Sequence, residues 1–290
     1  MISHSKVSII LPCFNEAENL SGFLTELCET FDTAEIIIVD DGSTDNSIDT
    51  AKCFPVKIMK HPRNLGNGAS IKTGARNATH EILVFMDADG QHKPEDIKRL
   101  LSKMNEGYDM VIGARTYDTH ANLGRLFANT LYNKLASFMT GFTIKDLTSG
   151  FRAVKADKFR KFLYLLPNGF SYPTTSTMAF FRSGFPVTYI PISAMQREGK
   201  SKISIIKDGT RFFIIILKIG ALFSPMRLFL PVSMFFFLIA TSYYAYTFIT
   251  EGRFTNMSAL LYITSVLTFM IGIVSEQISS LHYKHSEENN

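Results

Sequence analysis

The sequence predicts an α/β fold with a mostly parallel sheet covered by helices on both faces, followed by an apolar helical hairpin. Two observations predict the sheet: the early strands are short and wholly apolar, and helical segments separate them, as in parallel sheets buried on both faces. The hairpin is predicted by a scarcity of charged residues near the end of the chain. Between residues 226 and 275 only Arg227, Glu251 and Arg253 are charged, although 19% of the whole chain is charged.

Strand and helix signals alternate between Val7 and Gly113. Short aliphatic or β-branched runs predict strands at 7–11, 35–39, 56–59, 82–86 and 110–113. Helical spacing, such as that of Leu20, Phe23, Leu24 and Leu27, predicts helices at 18–31, from 44, at 68–78 and at 95–105. Beyond this region the signals predict helices at 123–138 and 176–183 and a strand at 186–191. Ligands of such sheets bind at the carboxyl ends of the strands, so the polar residues there are the candidate site.

The tail of the chain is predicted to meet a membrane. In residues 203–223, Lys207, Asp208, Arg211 and Lys218 interrupt an apolar stretch, which favours a helix in the membrane interface over a buried amphipathic helix. Two uncharged runs follow, at 228–250 and 254–275, and each is long enough to span a bilayer. The predicted division is a catalytic domain at 1–202, an interfacial helix at 203–225, a transmembrane hairpin at 226–280 and a tail at 281–290.

The basic residues near the predicted spans set the expected orientation. Six precede the first span, and one follows the second: Lys200, Lys202, Lys207, Arg211, Lys218 and Arg227, then Lys284. This bias places both termini in the cytosol. The segment at 1–12 lacks the length and cleavage site of a signal peptide, which agrees with a cytosolic catalytic domain. A net charge of +4 gives no support for nucleic-acid binding, and three cysteines without C-x-x-C spacing favour neither a disulfide framework nor a zinc site.

Two carboxylates follow the fourth predicted strand. Asp87 and Asp89 are one residue apart and would repel each other unless a cation lay between them; carboxylate oxygens suit Mg²⁺ or Mn²⁺, with phosphate and water completing the shell. Gln91 and His92 lie in the same loop. A solvated turn that caps the next helix is the alternative, because Asp-x-Asp alone is a weak motif.

The ends of the first three strands supply further polar groups. Asp41 and, less specifically, Asp40 are candidates to accept hydrogen bonds from a nucleobase or a ribose, whereas residues 43–45 are explained by helix capping. Phe14 and Glu16 follow the first strand. A Gly-rich loop at 61–68 precedes a helix, where backbone N–H groups either approach a ligand or cap the helix.

Together these segments resemble the family 2 glycosyltransferases of GT-A fold. The resemblance lies in Pro-x-Phe-Asn-Glu at 12–16, Val-Asp-Asp-Gly-Ser-Thr-Asp at 39–45, Asn-Leu-Gly-x-Gly at 64–68 and Asp-Ala-Asp-Gly-Gln at 87–91. It continues through 113–115, 146–152 and 197–202. The ordered set looks like the dolichol-phosphate mannose synthase branch and its bacterial relatives that act on polyprenyl phosphates, over about residues 6–205.

The resemblance implies a role for each matching residue. It implies a nucleoside held by Pro12, Phe14, Glu16, Val39 and Asp41. It implies ribose and phosphate contacts at Asp87 and Ala88, and a metal bound by Asp87, Asp89 and Gln91. It implies that the reacting phosphates are faced by Arg115 and clamped by Arg197 and Lys202. It implies an acceptor phosphate held by Arg115, Arg125 and Asn129. The family often has serine at the position of Asn129.

The residues themselves also favour a phosphate acceptor. Transfer to a hydroxyl normally needs a general base, and no Asp or Glu occurs between Phe159 and Arg197. The chain has no Trp and so lacks the Gln-x-x-Arg-Trp motif of processive synthases. A lipid phosphate is already ionised and needs only cationic positioning, for which Arg115 and Arg125 are suited. Asp146 and Asp118 stay open as bases.

The prediction is therefore a metal-dependent hexosyltransferase, and the resemblance implies that it inverts the anomeric centre. It would use a UDP- or GDP-sugar and undecaprenyl or dolichyl phosphate at the cytosolic membrane face, and a homo-oligomer is compatible with the sequence. Three alternatives stay open: transfer to a hydroxyl of a glycolipid or glycan, an inactive sugar-nucleotide-binding scaffold, and a cytidylyl- or uridylyltransferase. The last should carry a Gly-rich loop directly after the first strand, where this chain has Cys13 to Glu16. For Asp146 and Arg152, a structural ion pair and contact with the substrate both stay open.

Overall fold

The computed structural model describes residues 6–88, 90, 92–115, 123–169, 171–192 and 205–288 of the 290-residue chain. Within them seven strands form one sheet: β1 (Val7–Cys13), β2 (Glu35–Asp40), β3 (Lys57–Lys60), β4 (Ile82–Phe85), β5 (Met110–Arg115), β6 (Arg152–Lys155) and β7 (Val187–Ile192). Their order across the sheet is β3-β2-β1-β4-β6-β5-β7. All neighbouring pairs are parallel except those of β6, which is antiparallel to both β4 and β5. The predicted mostly parallel sheet is confirmed, and β6 is the strand that the sequence did not predict.

Helices connect the strands and cover both faces of the sheet. They are α1 (Ala17–Thr30), α2 (Ser47–Ala51), α3 (Asn67–Asn77), α4 (Pro94–Met104), α5 (Leu123–Thr140), α6 (Ala156–Arg160), α7 (Tyr172–Arg182), α8 (Ile205–Phe223), α9 (Pro225–Glu251) and α10 (Asn256–Glu288). The side chains of β1 alternate between two cores: Ile9 and Leu11 pack with α1 and α4, whereas Ile10 packs with α3 on the other face. This period of two is what a strand buried on both sides requires.

Helix α8 joins the sheet-containing part of the chain to the tail. Its residues Ile216 and Ile219 are buried in the core that also holds α5 and α7, while Phe213 and Ile214 are exposed. The helix predicted at 203–225 is thus present at Ile205–Phe223 with one face against protein. Its position in a membrane interface stays a prediction.

The last two helices form the predicted hairpin. Both are long and apolar enough to cross a membrane, over Pro225–Glu251 and Asn256–Leu281, and α10 continues past the predicted span to Glu288. The Ser233 hydroxyl donates to the Ser265 carbonyl oxygen at 2.9 Å, and the Ser265 hydroxyl donates back to the Ser233 carbonyl oxygen at 2.9 Å. Such reciprocal bonds between small residues are typical of helices that pack closely in an apolar surrounding.

Candidate active site

The candidate site is a cavity at the carboxyl edge of the sheet. Strands β1, β2 and β4 are parallel, so the residues that follow them meet at one edge. The cavity there has a volume of about 640 Å³. It is lined by six of the residues to which the resemblance gives contacts with the sugar nucleotide, the donor of the reaction: Pro12, Phe14, Glu16, Asp41, Asp87 and Ala88. Val39, also assigned to the donor, is fully buried in the core instead.

The loops after β1 and β2 are joined by hydrogen bonds. The Asn15 side-chain oxygen accepts from the Thr44 backbone N–H at 2.8 Å, and the Asn15 N–H donates to the Ser43 hydroxyl at 3.0 Å. Asn15 adopts a positive φ of 57°, which asparagine tolerates better than most residues. These contacts hold Phe14 and Glu16 at the cavity wall, a role for Asn15 that the sequence did not reveal.

Asp41 is buried behind the cavity and is heavily hydrogen-bonded. Its Oδ1 accepts from the Leu65 N–H at 2.8 Å and lies 2.8 Å from His61 Nδ1, and its Oδ2 accepts from the Gly66 N–H at 2.8 Å. His61 Nε2 lies 2.9 Å from the Thr73 hydroxyl. Two carboxylate oxygens offer about four acceptor positions, so three are used by protein. Asp41 therefore shapes the loop at 61–66 as well as lining the cavity.

Asp40 has a local role in the same turn. It is buried, and its carboxylate accepts from the Ser43 N–H at 3.2 Å. Cys13, which precedes the cavity loop, is also buried, and burial raises the pKa of its thiol to about 11. The thiol is therefore protonated near neutral pH and is a packing group rather than a nucleophile.

Two N–H groups where the Gly-rich loop enters α3 are bound by protein. The Gly68 N–H donates to the Gly169 carbonyl at 3.2 Å, and the Ala69 N–H donates to the Asn168 carbonyl at 2.9 Å. Glycines are needed because the loop at 167–169 lies directly against this backbone. A Cβ on Gly68 would stand 2.8 Å from the Gly169 oxygen and closer still to the Pro167 oxygen. Close packing and capping by residues 168–169 explain these glycines, and the alternative of ligand contact by these two N–H groups is wrong.

We expect Gly68→Ala to destabilise the α/β fold by about 2–3 kcal/mol, since the backbone oxygens around it cannot move without shifting two loops. The matched control is Gly22→Ala on α1, where an added Cβ meets nothing within 4 Å; this change should stabilise by about 0.5–1 kcal/mol. Thermal unfolding of the detergent-purified chain measures both. An unchanged midpoint for Gly68→Ala would contradict the packing.

Two further residues of this wall were missed by the sequence reasoning. Asn67 and Ser70 line the cavity, and the Asn67 Oδ1 and Ser70 Oγ atoms are buried with no hydrogen-bond partner among the described residues. A buried polar atom left unpaired is costly, so this wall suits a polar ligand group. A Ser or Asn in the first turn of a helix offered no signal beyond capping.

Asp87 follows β4 and lies between the cavity and the loop at 146–150. A Cβ on Gly150 would be 3.6 Å from Asp87 Oδ2, and the Tyr172 hydroxyl donates to the Gly150 carbonyl at 2.9 Å. Burial, and then the charge of Asp87, raise the pKa of Tyr172. Asp89 and Gln91 lie outside the described residues. Within the described part of the chain, no group of three or more His, Cys, Asp or Glu side chains is placed to hold a metal.

Arg115 and Asp146 form a two-pronged ion pair at the same edge. Arg115 Nε and Nη2 donate to the Asp146 carboxylate at 2.9 and 3.0 Å, and Nη2 donates to the Thr148 hydroxyl at 2.6 Å. The same carboxylate accepts from the Thr148 and Ser149 N–H groups at 3.1 Å each. Burial works to raise the pKa of Asp146, but the hydrogen bonds and charge of Arg115 and the backbone bonds lower it below its ordinary range. A carboxylate so occupied is a weak base.

Arg152 does not form an ion pair with Asp146, which was one of the two alternatives for these residues. It is fully buried at the start of β6, and its Nη1 donates to the Pro173 carbonyl at 3.1 Å and to the Ser176 and Thr177 hydroxyls at 2.9 Å each. Its Nη2 donates to the Ser149 carbonyl. Arg152 thus connects helix α7 to the loop at 146–150, and that loop in turn binds Arg115.

His92, which the sequence placed beside the carboxylate loop, packs rather than lines the cavity. It is buried, and its ring stacks on Phe151 with centroids 4.8 Å apart.

The remaining predicted residues fall partly outside the described structure. Asn129 is half-buried on α5. Arg125 lies in the first turns of the same helix, but its side chain is outside the described part. Asp118, Arg197 and Lys202 lie outside the described residues altogether.

Comparison with known proteins identifies the family. The family model of glycosyl transferase family 2 matches residues 8–163, more than half of the chain. The chain belongs to glycosyl transferase family 2. This membership decides against the nucleotidyltransferase alternative and establishes that the chain is a glycosyltransferase. A second model, of the GtrB C-terminal hairpin, matches residues 224–281 of this glycosyltransferase, which covers α9 and most of α10.

Named relatives of this glycosyltransferase act on polyprenyl phosphates. It is 31% identical over 212 residues to the polyprenol monophosphomannose synthase of Mycolicibacterium smegmatis, covering 68% of this chain and 80% of the relative. It is 30% identical over 218 residues to the undecaprenyl-phosphate mannosyltransferase of Micrococcus luteus, covering 69% and 88%.

A solved structure supports the fold. The catalytic domain resembles the glucosyl-3-phosphoglycerate synthase of Mycobacterium tuberculosis, solved in complex with Mn²⁺, uridine diphosphate and phosphoglyceric acid, with a TM-score of 0.61 at 16% identity over 74% of this chain and 78% of that chain. This likeness confirms the predicted GT-A fold.

Proposed function

We propose that this glycosyltransferase transfers a hexose, with inversion, from a UDP- or GDP-sugar to a polyprenyl phosphate at the cytosolic face of a membrane. The observation that carries the proposal is the cavity at the strand ends, where six residues of the donor motifs converge beside the Arg115–Asp146 pair. The two polyprenyl-phosphate mannosyltransferases among its relatives support the acceptor class.

The donor would lie in the cavity. Phe14 is 38% exposed and offers a ring on which a nucleobase stacks. Asn67 Oδ1 and Ser70 Oγ offer buried polar atoms to the nucleoside, together with what remains free of the Asp41 carboxylate. The cavity wall at Asp87 and Ala88 would then face the ribose and the diphosphate.

The proposed cofactor is a divalent cation, Mg²⁺ or Mn²⁺. Asp87 would hold it with Asp89 and Gln91 of the same loop, since hard oxygen donors suit both ions. The Mn²⁺ bound with uridine diphosphate in the structurally similar synthase supports this. When bound, such an ion neutralises charge that develops on a diphosphate leaving group. The Asp87 carboxylate lies close to Gly150, where an added Cβ would be 3.6 Å from its Oδ2.

The acceptor would be an ionised phosphate because the site has cations but a poorly suited base. Asp146 already accepts hydrogen bonds from Arg115, Thr148 and Ser149, and its lowered pKa makes it a weaker proton acceptor. Its role is to orient the Arg115 guanidinium. A planar, fixed guanidinium is well suited to hold a phosphate close to a diphosphate despite their repulsion.

The membrane position completes the proposal. Helices α9 and α10 would span the bilayer, with α8 in its interface and both termini in the cytosol, as the basic residues before the first span predict. Arg197 and Lys202 would clamp the donor, and Arg125 with Asn129 would contact the lipid phosphate.

Asp146→Asn tests the acceptor chemistry. We expect sugar transfer to polyprenyl phosphate to fall by about tenfold or less, because the amide keeps the shape and one acceptor oxygen for Arg115. A hydroxyl acceptor activated by Asp146 as general base would instead lose nearly all transfer. Steady-state rates with polyprenyl phosphate and with the matching polyprenol distinguish the phosphate acceptor from the hydroxyl acceptor. The proposal would be contradicted if the wild type transferred sugar to polyprenol and Asp146→Asn abolished that transfer.

A further inference from the structure

His61 connects the buried carboxylate of Asp41 to the helix that follows the Gly-rich loop. Its Nδ1 atom lies 2.8 Å from Asp41 Oδ1, and its Nε2 atom lies 2.9 Å from the hydroxyl of Thr73 on α3. His61 is 7% exposed and Asp41 is 4% exposed, so water competes little for these contacts. A continuous chain of hydrogen bonds therefore runs from α3 through the imidazole ring to the wall of the cavity.

The chemistry of the two partners fixes how the imidazole ring is used. A carboxylate only accepts hydrogen bonds, so Nδ1 carries a hydrogen and donates it to Asp41. In the neutral ring Nε2 then accepts from the Thr73 hydroxyl, and in the protonated ring it donates to the same oxygen. The hydrogen bond from His61 to Asp41 is therefore present in either charge state of the ring.

The two oxygen atoms of Asp41 differ in the hydrogen bonds that they can still accept. Oδ1 accepts from His61 and from the Leu65 N–H, which uses both of its lone pairs, whereas Oδ2 accepts from the Gly66 N–H. Within the described contacts, one acceptor position is left, and it belongs to Oδ2. Because Asp41 lines the cavity, Oδ2 is the atom that a ligand N–H would meet, and His61 holds the other oxygen.

The backbone around this contact is fixed independently of the His61 side chain. The His61 N–H donates to the Asp40 carbonyl at 2.8 Å, directly after β3. The loop then passes so close to Gly42 that an added Cβ there would be 2.8 Å from the Arg63 carbonyl carbon. In the described part of the chain, His61 is the one side chain that donates to Asp41. Replacing this side chain therefore removes one support of the carboxylate while the loop keeps its own contacts.

We infer that His61 is a positioning residue for the donor, which fixes the plane of the Asp41 carboxylate so that Oδ2 accepts an N–H of the nucleobase. The inference rests on the proposed function, in which the cavity holds a sugar nucleotide. Uracil and guanine each present an imide N–H on the pairing edge, so the inference covers both donors. A hydrogen bond weakens steeply when its angle departs from linearity, which is how a residue that does not touch the donor affects its binding.

His61→Leu removes the positioning contact. We expect the KM for the sugar nucleotide to rise about tenfold, since the charged hydrogen-bond acceptor is no longer held in place. The kcat and the KM for polyprenyl phosphate should stay within about twofold, because neither the reacting phosphates nor the acceptor meets His61. His61→Asn should restore most of the affinity, since its amide donates from near the position of Nδ1. Thr73→Val removes the partner of the ring and should raise the donor KM about threefold.

His80→Leu is the matched control for these variants. His80 Nδ1 also lies near a carboxylate, 3.6 Å from Glu35 Oε2, but it precedes β4 and so lies at the amino edge of the sheet, away from the cavity. Its donor KM should stay within about twofold of wild type.

The deciding experiment compares two nucleotides on the full, detergent-purified chain. Calorimetry with Mn²⁺ measures the binding of uridine or guanosine diphosphate and of the same nucleotide methylated at its imide nitrogen. In the wild type, methylation should weaken binding by about thirtyfold or more, because Asp41 Oδ2 then faces a methyl group. In His61→Leu only the unmethylated nucleotide should bind more weakly, so the effect of methylation should fall to about threefold. Thr73→Val gives the same comparison, with a smaller change, if His61→Leu does not fold.

The other outcomes separate the inference from the proposed function. If His61→Leu weakens the binding of both nucleotides equally, the loop is damaged as a whole, and the inference is overturned while the donor site stands. If the wild type binds the methylated nucleotide as tightly as the unmodified one, Asp41 does not meet the base, and the inference is again overturned. If the wild type binds neither diphosphate, the proposed function itself is wrong.

Discussion

Asp87→Asn is expected to lower kcat/KM for sugar transfer by about a thousandfold, the effect of losing several kcal/mol of stabilisation at a diphosphate leaving group. Asp87 lines the cavity directly after β4, and its carboxylate sits against the backbone of Gly150. The amide keeps the size of the side chain but removes the charge that a divalent cation requires. Steady-state kinetics with saturating Mg²⁺ or Mn²⁺ measure the loss.

Binding of Mn²⁺ alone and with nucleoside diphosphate, followed by electron paramagnetic resonance, shows whether the loss comes from the ion. We expect its affinity to fall at least about tenfold in Asp87→Asn. Glu18→Gln is the matched control, because Glu18 is another carboxylate on the cavity wall but lies on α1, away from the Asp87 loop. It should stay within about threefold of wild type. Full activity of chelator-treated wild type would contradict the role given to Asp87.

Arg115→Ala is expected to lower kcat/KM for polyprenyl phosphate by about a hundredfold, because a fixed charge-assisted contact to phosphate is lost. Arg115→Lys should recover only part of this, since an ammonium group cannot make the two parallel bonds to Asp146. Arg99→Ala is the control: Arg99 is likewise paired with a carboxylate, Asp96, but on the outside of α4. It should change transfer by less than about threefold.

A double-mutant cycle shows how Asp146 acts. If Asp146 serves only to orient Arg115, the double variant Arg115→Ala/Asp146→Ala should be no slower than Arg115→Ala alone. Independent, additive losses would mean that Asp146 touches the acceptor itself. The cycle is measured on kcat/KM for lipid phosphate, with thermal unfolding of each variant to exclude loss of fold.

The cavity was predictable from sequence because parallel strands bring their carboxyl ends to one edge. Once the apolar runs around Ile9, Ile37 and Val84 are recognised as strands, Glu16, Asp41 and Asp87 must follow them at the same side of the sheet. No contact needs to be known for that conclusion. The Val39 side chain lies in the core because both faces of β2 are covered, whereas Asp41, which follows the strand, reaches the edge; a contact of Val39 with the nucleoside stays a prediction.

The strand β6 could not be predicted because its stability depends on distant partners. It is four residues long and starts with a charged residue, Arg152, which argues against a central strand. The guanidinium is compensated by the hydroxyls of Ser176 and Thr177, which lie far along the chain on α7. Sequence spacing contains no information on that pairing. For the same reason the sequence offered Arg152 as one possible partner of Asp146, whereas β5 delivers Arg115.

The contacts of the loops around the cavity likewise could not be predicted from the sequence. Asn15, Asn67 and Ser70 belong to residue types that commonly cap helices, and no pattern in the sequence indicated another role for them. Only the approach of the loop at 167–169 to Gly68 shows that the Gly-rich segment is packed against protein and leaves the polar atoms of Asn67 and Ser70 at the cavity.

The central claim is that the acceptor is a lipid phosphate. The direct measurement incubates the detergent-purified chain with UDP- and GDP-sugars, a divalent cation, and an equimolar mixture of a short polyprenyl phosphate and the corresponding polyprenol, and then weighs the lipids by mass spectrometry. We predict that one sugar nucleotide adds a single hexosyl residue to the polyprenyl phosphate and leaves the polyprenol unchanged. A hexosylated polyprenol, with polyprenyl phosphate left intact, would contradict the account.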